Sequence, residues 1–332
     1  MLVKGKWQGK WDPVSSPGKQ GEFLRQVSSI RNWITRDGSA GPTGTSGFRA
    51  ESGRYHLYVA LICPWACRTL IARMIKGLEP HISISIVSPD MTDQGWQFGH
   101  FPRATPDHLH NSEYLHQLYT RNDPFYSGRA TVPVLWDKKQ DLMVNNESAD
   151  ILRMLNSAFE ELSPSEIDLY PPPLRDEIDK LNDKYYQALN NGVYRAGFAT
   201  SQQAYEQAYS DVFTALEDAE RRLAERPFLF GDLLTEADIR LFVTLVRFDA
   251  AYHGLFKCNR KRIADYPNLS RYLRHIYNLP GISDTVDFDH IKQGYYSIHR
   301  LNPSGIIPLG PELDLQEESV HNGREALRGI GS

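Results

Sequence analysis

The most constraining feature of this chain is a cysteine at the junction of a strand pattern and a helix pattern. The apolar, β-rich run 55–62 ends directly at Cys63, and Pro64 follows. Proline suits the first position of a helix, because the backbone N–H that it lacks would have no partner there. Apolar residues then recur with helical spacing at Leu70, Ile71, Met74, Ile75 and Leu78. The pattern predicts a strand that ends on a cysteine at the N-terminus of a helix.

Cys63 is therefore predicted to be a reactive thiol. Unpaired N–H groups and the positive end of the helix dipole favour the thiolate and lower the pKa of a thiol at that place. The plainer alternative is a small buried side chain that happens to precede a proline. A dithiol redox motif would need a second cysteine at position 66, which is Ala66. The site is predicted to use one thiol, and Cys67 is predicted to serve in packing.

The composition is that of an ordinary soluble globular protein with room for two domains. The chain has 332 residues, 41% of them hydrophobic, and 37 Lys and Arg against 41 Asp and Glu, a net charge of −4. The sequence has no basic stripe that would indicate a nucleic-acid partner, and none of its apolar runs approaches the roughly 20 residues needed to cross a membrane. The first residues lack a signal-peptide core, and three cysteines make no disulfide framework. We expect a cytoplasmic protein.

The order of the patterns predicts an α/β half followed by an all-helical half. After the first strand and helix come a period-2 strand at 82–87, further strands at 132–136 and 142–144, and a helix opened by Glu147, which gives βαβ and then ββα. Beyond a proline-rich break at 163–173 only helical spacing remains, with a capping box at 235–238. The predicted divisions are a largely coiled extension 1–50, a first domain 51–160 with a long insertion 88–129, a helical domain 174–300 and a tail 301–332.

This architecture resembles that of the glutathione transferases, and the run Cys63-Pro64-Trp65-Ala66 narrows the resemblance to the glutathionyl-hydroquinone reductases, the Xi class of that superfamily. Further matching motifs are Arg68-Thr69-Leu70, Gly95-Trp96, Thr131-Val132-Pro133-Val134-Leu135, Asn146-Glu147-Ser148, Asn191-Gly192-Val193-Tyr194, Arg247-Phe248-Asp249 and Asn302-Pro303-Ser304-Gly305-Ile306. The likeness spans nearly the whole chain. One departure is Cys67, where the family often carries histidine.

The resemblance implies a thioredoxin-like N-terminal domain, a helical substrate domain, a homodimer, and glutathione as co-substrate. The implied activity is reduction of S-glutathionyl-hydroquinones, which are glutathionylated aromatic quinols. A conjugating or dehalogenating glutathione transferase is the alternative enzyme, and an interaction module with a vestigial site is the alternative without catalysis. The natural quinone is not implied.

Chemistry at two places agrees with a glutathione site. Pro133 cannot extend a central ladder, so a cis-proline turn there would leave the backbone of Val132 able to pair with an extended peptide. At the start of a helix, Ser148 and backbone N–H groups can hold the γ-glutamyl carboxylate, while Glu147 meets its ammonium group. The alternative for Glu147 and Ser148 is a simple helix cap.

Other site residues rest on the resemblance. Arg129 would supply a cation for a ligand carboxylate and Trp96 a flat wall, although Trp96 can also be read as a core aromatic residue. Three tyrosines would line the aromatic substrate pocket and act on the quinol, namely Tyr194, Tyr252 and Tyr295. Tyr296 competes with Tyr295, because adjacent helical residues point to different sides.

A metal centre is not predicted. The insertion holds four histidines, His100, His108, His110 and His116. They form neither a helical H-E-x-x-H motif nor a set with cysteines at zinc spacing.

Overall fold

One fully buried strand lies at the centre of a five-stranded sheet in the computed structural model, which describes residues 1–10, 12 and 17–316. The strands are β1 (Leu2–Val3), β2 (Lys6–Trp7), β3 (Tyr55–Val59), β4 (Ile82–Thr92), β5 (Gly95–Phe98), β6 (Val134–Asp137) and β7 (Leu142–Asn145). The sheet order is β5-β4-β3-β6-β7, with β3 parallel to β4 and antiparallel to β6. A central strand of this kind requires the near-continuous apolar run seen in the sequence.

The helices follow the predicted order, which confirms βαβ and then ββα before a helical second half. They are α1 (Pro64–Ile75), α2 (His116–Asn122), α3 (Ser148–Ser157), α4 (Arg175–Tyr185), α5 (Gly192–Gly197), α6 (Gln202–Arg222), α7 (Glu236–Arg247), α8 (Pro267–Tyr277) and α9 (Phe288–Tyr296). The capping box at the start of α7 is present, with the Asp238 carboxylate accepting the Thr235 N–H at 2.9 Å. Within the described residues, no helix combines the length and apolar character needed to cross a membrane.

The chain forms two compact units that are not continuous in sequence. The first consists of Met1–Asp12, Val27–Glu166 and Asp289–Ser297. Of the described residues, the second contains 17–26, Ile167–Phe288 and 298–316. Nearly all of α9 thus folds with the sheet, whereas the predicted boundaries had assigned it to the helical domain. Of the predicted tail 301–332, positions 317–332 lie outside the described residues.

The insertion contains regular structure that the sequence pattern did not reveal. β4 continues five residues beyond the predicted end at position 87, and it pairs antiparallel with β5 to form the edge of the sheet. Gly95 makes this turn possible, because its φ of +79° lies in the left-handed region. The same insertion holds α2. The polar stretch that was predicted only as a long insertion therefore contains part of the β4–β5 hairpin at the edge of the sheet and a short helix.

The extension before the sheet includes an ordered segment that runs beside the end of β7. In this N-terminal segment, residues 28–32, the Asn32 N–H donates to the Val144 carbonyl at 2.9 Å. The Asn146 N–H donates to the Ile30 carbonyl at 3.1 Å. Arg31 forms an ion pair with Asp150 of α3. Residues 28–32 therefore hold the corner between β7 and α3 by backbone and side-chain bonds.

Gly294 lets α9 pack closely against the loop that precedes Cys63. A Cβ atom added there would lie 2.3 Å from the Ile62 Cδ1 and 2.6 Å from the Pro89 carbonyl oxygen. Real Cβ contacts are not that short, and the carbonyl belongs to the backbone and cannot rotate away. The close approach of α9 to this loop therefore depends on the missing side chain.

Replacing Gly294 with Ala should destabilise the fold by about 1–3 kcal/mol, because the new methyl group overpacks the contact. In an exposed helix the same change would instead stabilise by roughly 1 kcal/mol. The free energy of unfolding, measured in urea, tests the sign. Gln293→Ala on the same helix is the control and should stay within about 0.5 kcal/mol of the wild type. A stabilised Gly294→Ala protein would show that this packing is loose.

Candidate functional site

Cys63 is the N-cap residue of α1. Its backbone is extended, with φ −76° and ψ 118°, and Pro64 occupies the first helical position. The side chain is half-buried. A sulfur at this place lies at the positive end of a 12-residue helix, an environment that stabilises a thiolate. The strand–cysteine–helix junction expected from the sequence is present.

The backbone of Val132 lies beside the Cys63 thiol. The Sγ atom is 3.7 Å from the Val132 carbonyl oxygen. The Val132–Pro133 peptide bond is cis, as the position of the proline had suggested, and β6 starts only at Val134. Two residues 69 positions apart, Cys63 and Val132, are thus brought into contact.

The other two cysteines are shielded from solvent. Cys67 is fully buried inside α1, and its N–H donates to the Cys63 carbonyl at 3.0 Å. Cys258 is also buried, which raises the pKa of its thiol to about 12. None of the three forms a disulfide. Cys63 is the cysteine that a solute can reach.

Glu147 and Ser148 form the N-terminus of α3. Glu147 is the N-cap residue, and its carboxylate accepts the Ala149 N–H at 3.2 Å. The Ser148 hydroxyl donates to the same carboxylate at 3.4 Å, and the side chain of Ser148 is buried. The cap geometry weighed as an alternative is therefore present. It still leaves a carboxylate and a helix N-terminus at one corner, which can serve the two charged ends of an amino acid.

A residue that the sequence did not predict also lies at this corner. The hydroxyl of Ser28, on the N-terminal segment, donates to the Glu147 Oε2 at 2.9 Å. Ser28 stands in the stretch predicted to be coil, 119 positions from Glu147. A serine in a loop carries no local signal of such a partner, so only the tertiary fold reveals it.

Trp96 and Arg129 belong to the same unit as Cys63. Trp96 is half-buried on β5, where its carbonyl accepts the Leu115 N–H at 2.9 Å. Arg129 is half-buried three positions before Val132, and its carbonyl accepts the Tyr126 hydroxyl at 3.4 Å. Their proposed contacts with a ligand remain a prediction.

Tyr194 and Tyr252 meet in an aromatic cluster of the second unit. Their ring centroids are 5.9 Å apart, and both rings contact Phe256, at 5.5 and 5.3 Å. Tyr252 is fully buried, whereas Tyr194 is half-buried. Of the two, the half-buried Tyr194 offers a ring face and a hydroxyl group, the features that an aromatic ligand with polar substituents would use.

A cation that sequence reasoning missed completes this cluster. The Arg25 guanidinium lies over the Tyr194 ring, with its Cζ 4.6 Å from the centroid. Its Nε donates to the Asn191 Oδ1 at 2.7 Å, which fixes its direction. Arg25, like Ser28, comes from the stretch expected to be coil.

Tyr295 does not lie in the helical unit to which it had been assigned. It is on α9, which folds with the sheet, and it is buried with 3% of its surface exposed. Its neighbour Tyr296 is half-buried, and burial raises the pKa of the Tyr296 hydroxyl. Tyr295 lies in the first unit because α9 packs there, with Gly294 in close contact with the loop before Cys63.

Among the described residues, no three or more histidine, cysteine, aspartate or glutamate side chains are grouped closely enough to hold a metal ion. His116 instead stacks on Trp7, with ring centroids 4.5 Å apart. Burial lowers the pKa of His110 and of His116.

Two family profiles match the chain. The N-terminal domain of glutathione S-transferases matches residues 62–158. The C-terminal domain of the same proteins matches residues 202–275. The first match includes Cys63, Val132 and Glu147, and the second includes Tyr252.

The chain is also similar to curated proteins over nearly its full length. It is 55% identical over 319 residues to the glutathionyl-hydroquinone reductase YqjG of Escherichia coli, covering 96% of this chain and 97% of that protein. It is 48% identical over 316 residues to the glutathionyl-hydroquinone reductase PcpF of Sphingobium chlorophenolicum, covering 95% and 97%.

Solved structures show the same fold. The glutathione-bound structure of YqjG from Escherichia coli superposes with a TM-score of 0.88 at 52% identity, covering 95% of this chain and 97% of that one. The Xi-class glutathione transferase of Phanerochaete chrysosporium gives a TM-score of 0.86 at 47% identity, covering 91% and 96%.

Iodoacetamide should alkylate Cys63 of the native protein first, because Cys63 is half-buried at a helix N-terminus and the other two thiols are buried. Peptide mass mapping over time measures the order. Cys63→Ser is the control and should react slowly until the protein is unfolded. Modification of native Cys67 or Cys258 at a rate similar to that of Cys63 would contradict the assigned order of access.

Proposed function

The chain belongs to the glutathionyl-hydroquinone reductases, the Xi class of glutathione transferases, and we propose that it reduces S-glutathionyl-hydroquinones to hydroquinones with glutathione as co-substrate. The observation that carries the proposal is the Cys63 thiol at the N-terminus of α1, 3.7 Å from the Val132 carbonyl. This is where a thiolate can meet a ligand that pairs with the peptide group of Val132.

Glutathione would bind in the first unit as an extended peptide. The backbone of Val132, next to Pro133, would pair with the cysteinyl part and place the ligand sulfur beside Cys63. Glu147 and Ser148 would hold the γ-glutamyl end through its ammonium and carboxylate groups. Arg129 would face a ligand carboxylate, and Trp96 would supply a flat wall.

In the first chemical step the Cys63 thiolate attacks the glutathione sulfur of the substrate. An S–S bond forms and the bond between sulfur and the aromatic carbon breaks. The substrate reacts as its keto tautomer. The electron pair of the broken bond passes into the ring, and the carbonyl oxygen takes a proton to give the free hydroquinone. The carbon is reduced, and Cys63 is oxidised to a mixed disulfide with glutathione.

In the second step another glutathione thiolate attacks the glutathione sulfur of that mixed disulfide. Oxidised glutathione leaves and the Cys63 thiolate returns. Ala66 at the position of a dithiol partner, and the burial of Cys67, favour this route over an internal disulfide. A glutathione molecule, rather than a second protein thiol, closes the cycle.

The tyrosines would serve the aromatic half of the substrate. Tyr194 and Tyr252 offer a ring against which a quinol can pack and hydroxyls that can bond or protonate its oxygen. The Arg25 guanidinium lies over the Tyr194 ring and adds a cation to this cluster. Tyr295 is proposed to act with them.

We further propose that the enzyme is a cytoplasmic homodimer. Three cysteines without disulfides, one of them required as a thiol, suit a reducing compartment. The dimer follows from the resemblance to the family. Sedimentation velocity of the full chain tests it, and a single species of 37.9 kDa would refute it.

Cys63→Ser should abolish the release of hydroquinone from a glutathionyl-hydroquinone, because the serine hydroxyl is not ionised at neutral pH and cannot form a disulfide with glutathione. The wild type should release hydroquinone and oxidised glutathione in equal amounts. Wild-type protein treated with oxidised glutathione should gain one glutathionyl group, mapped to Cys63 by mass spectrometry. Cys67→Ser is the matched control and should keep most activity.

Three outcomes would contradict this assignment. Activity that survives in Cys63→Ser, or an adduct on Cys67 or Cys258, would remove Cys63 as nucleophile. Formation of a thioether from glutathione and an aryl halide, without hydroquinone release, would favour the conjugating or dehalogenating transferase. A wild type that does neither reaction would favour an interaction module.

Replacement of Glu147 by Gln or Arg129 by Met should weaken capture of every glutathione-containing substrate. A hydrogen bond to a charged group contributes roughly 1.5–3 kcal/mol, so the loss of kcat/KM should be about tenfold or more. Tyr194→Phe and Tyr252→Phe keep the ring and remove only the hydroxyl. They should slow hydroquinone release by roughly tenfold or more, as expected for a lost proton donor, while sparing reduction of a small glutathione mixed disulfide.

The ratio of the two activities is the measurement. Tyr205→Phe is a suitable control, since Tyr205 is on α6 and its hydroxyl donates to the Lys257 carbonyl. The tyrosines of the cluster would be structural if their variants lost both activities equally, or lost neither, with the fold intact.

A further inference from the structure

The hydroxyl of Ser28 is placed to control the orientation of Glu147. It lies 2.9 Å from the Glu147 Oε2 and 3.1 Å from the Asn146 carbonyl oxygen. The donor is half-buried, and it comes from the N-terminal segment rather than from α3 or its neighbours. The carboxylate is therefore bonded by a part of the chain outside the sheet and its helices.

The N-terminal segment is itself held in place at this corner. The Ile30 N–H donates to the Asn146 Oδ1 at 3.2 Å, and the Ile30 carbonyl accepts the Asn146 N–H at 3.1 Å. The Asn145 Nδ2 donates to the Asn32 carbonyl at 3.0 Å. These bonds fix the backbone on the C-terminal side of Ser28 relative to the start of α3. Ser28 is thus a preorganised donor and not a mobile side chain on a loose coil.

The two oxygens of Glu147 face different partners. Oε1 accepts the Ala149 N–H at 3.2 Å and the Ser148 hydroxyl at 3.4 Å, both from α3. Oε2 accepts the Ser28 hydroxyl. The last torsion of a glutamate side chain is broad, so one bonded oxygen alone would leave the carboxylate plane poorly defined. Bonds to both oxygens set that plane.

We propose that Ser28 is a positioning residue for glutathione, holding the Glu147 carboxylate in the orientation that receives the γ-glutamyl ammonium group. This inference rests on the proposed function, because it requires Glu147 to bind that ammonium group. A carboxylate already oriented in the unbound protein loses less conformational freedom when the ligand binds. Ser28 acts through Glu147 and away from the sulfur chemistry at Cys63.

The test is a double-mutant cycle on the full-length protein, with binding of reduced glutathione measured by calorimetry. Ser28→Ala should weaken binding about five- to tenfold. Ser28→Thr keeps a hydroxyl and should recover most of that loss. In a Glu147→Gln background, Ser28→Ala should change binding less than twofold, because the carboxylate through which it acts is absent. In turnover, Ser28→Ala should raise the KM for glutathione and leave kcat within twofold.

Ser29→Ala is the matched control, because Ser29 is exposed and adjacent in the chain. It should bind glutathione as the wild type does, and thermal unfolding should show all variants folded. Two results would refute the positioning role of Ser28 and leave the proposed function standing. One is that Glu147→Gln loses binding while Ser28→Ala keeps it, and the other is that Ser28→Ala has the same effect in both backgrounds. If Glu147→Gln binds as the wild type does, the γ-glutamyl assignment and the role of Ser28 both fall, whereas Cys63 chemistry is untouched.

Discussion

The buried central strand β3 is the constraint that fixes one sulfur atom, that of Cys63, at the N-terminus of α1 and beside the carbonyl of Val132. β3 is paired on both edges and buried throughout, so the chain leaves the sheet at a well-defined point, and Pro64 starts the helix soon afterwards. Backbone N–H groups at a helix N-terminus favour the thiolate form of a cysteine, so in the proposed function this thiol would need no neighbouring histidine or metal. Cys67, four positions further along the same helix, is buried and does not lie at the helix N-terminus.

Glu147 is a structural cap, and in the proposed function the same residue is also a binding group. A carboxylate at the N-cap satisfies helix N–H groups and complements the helix dipole, which stabilises α3 by itself. The same negative charge, held near the surface by Ser148 and Ser28, can meet an ammonium group of a ligand. The plainer alternative and the functional one are therefore compatible here. Since a carboxylate can accept about four hydrogen bonds, the cap does not use its whole capacity.

Local sequence was sufficient where one element determines the geometry. The β-rich run, Cys63 and Pro64 share a single junction, and the capping box at Thr235 and Asp238 lies within one helical turn, so both could be predicted. It was not sufficient for edges and long-range contacts. β5 is a short strand whose role depends on pairing with an extended β4, and α9 packs on the first unit through long-range contacts such as that of Gly294 with Ile62. Ser28 and Arg25 contact residues 119 and 166 positions away in the chain, and contacts at such separations produce no periodic pattern in the sequence.

The aromatic cluster shows a different limit of periodic reasoning. Tyr194 follows a π-helical turn at Tyr186–Asn190, and Tyr252 ends another at Phe248–Tyr252. Each such turn adds a residue to the helical repeat, so every later side chain moves to a face that 3.6-residue spacing does not predict. The first turn is anchored by Asn190, whose Nδ2 donates to the Arg240 carbonyl at 2.9 Å and the Thr244 Oγ1 at 2.8 Å. A buried amide with two acceptors on α7 makes the irregular turn a fixed part of the second unit. Both tyrosines of this contact thus lie at or just after a departure from regular α-helical geometry.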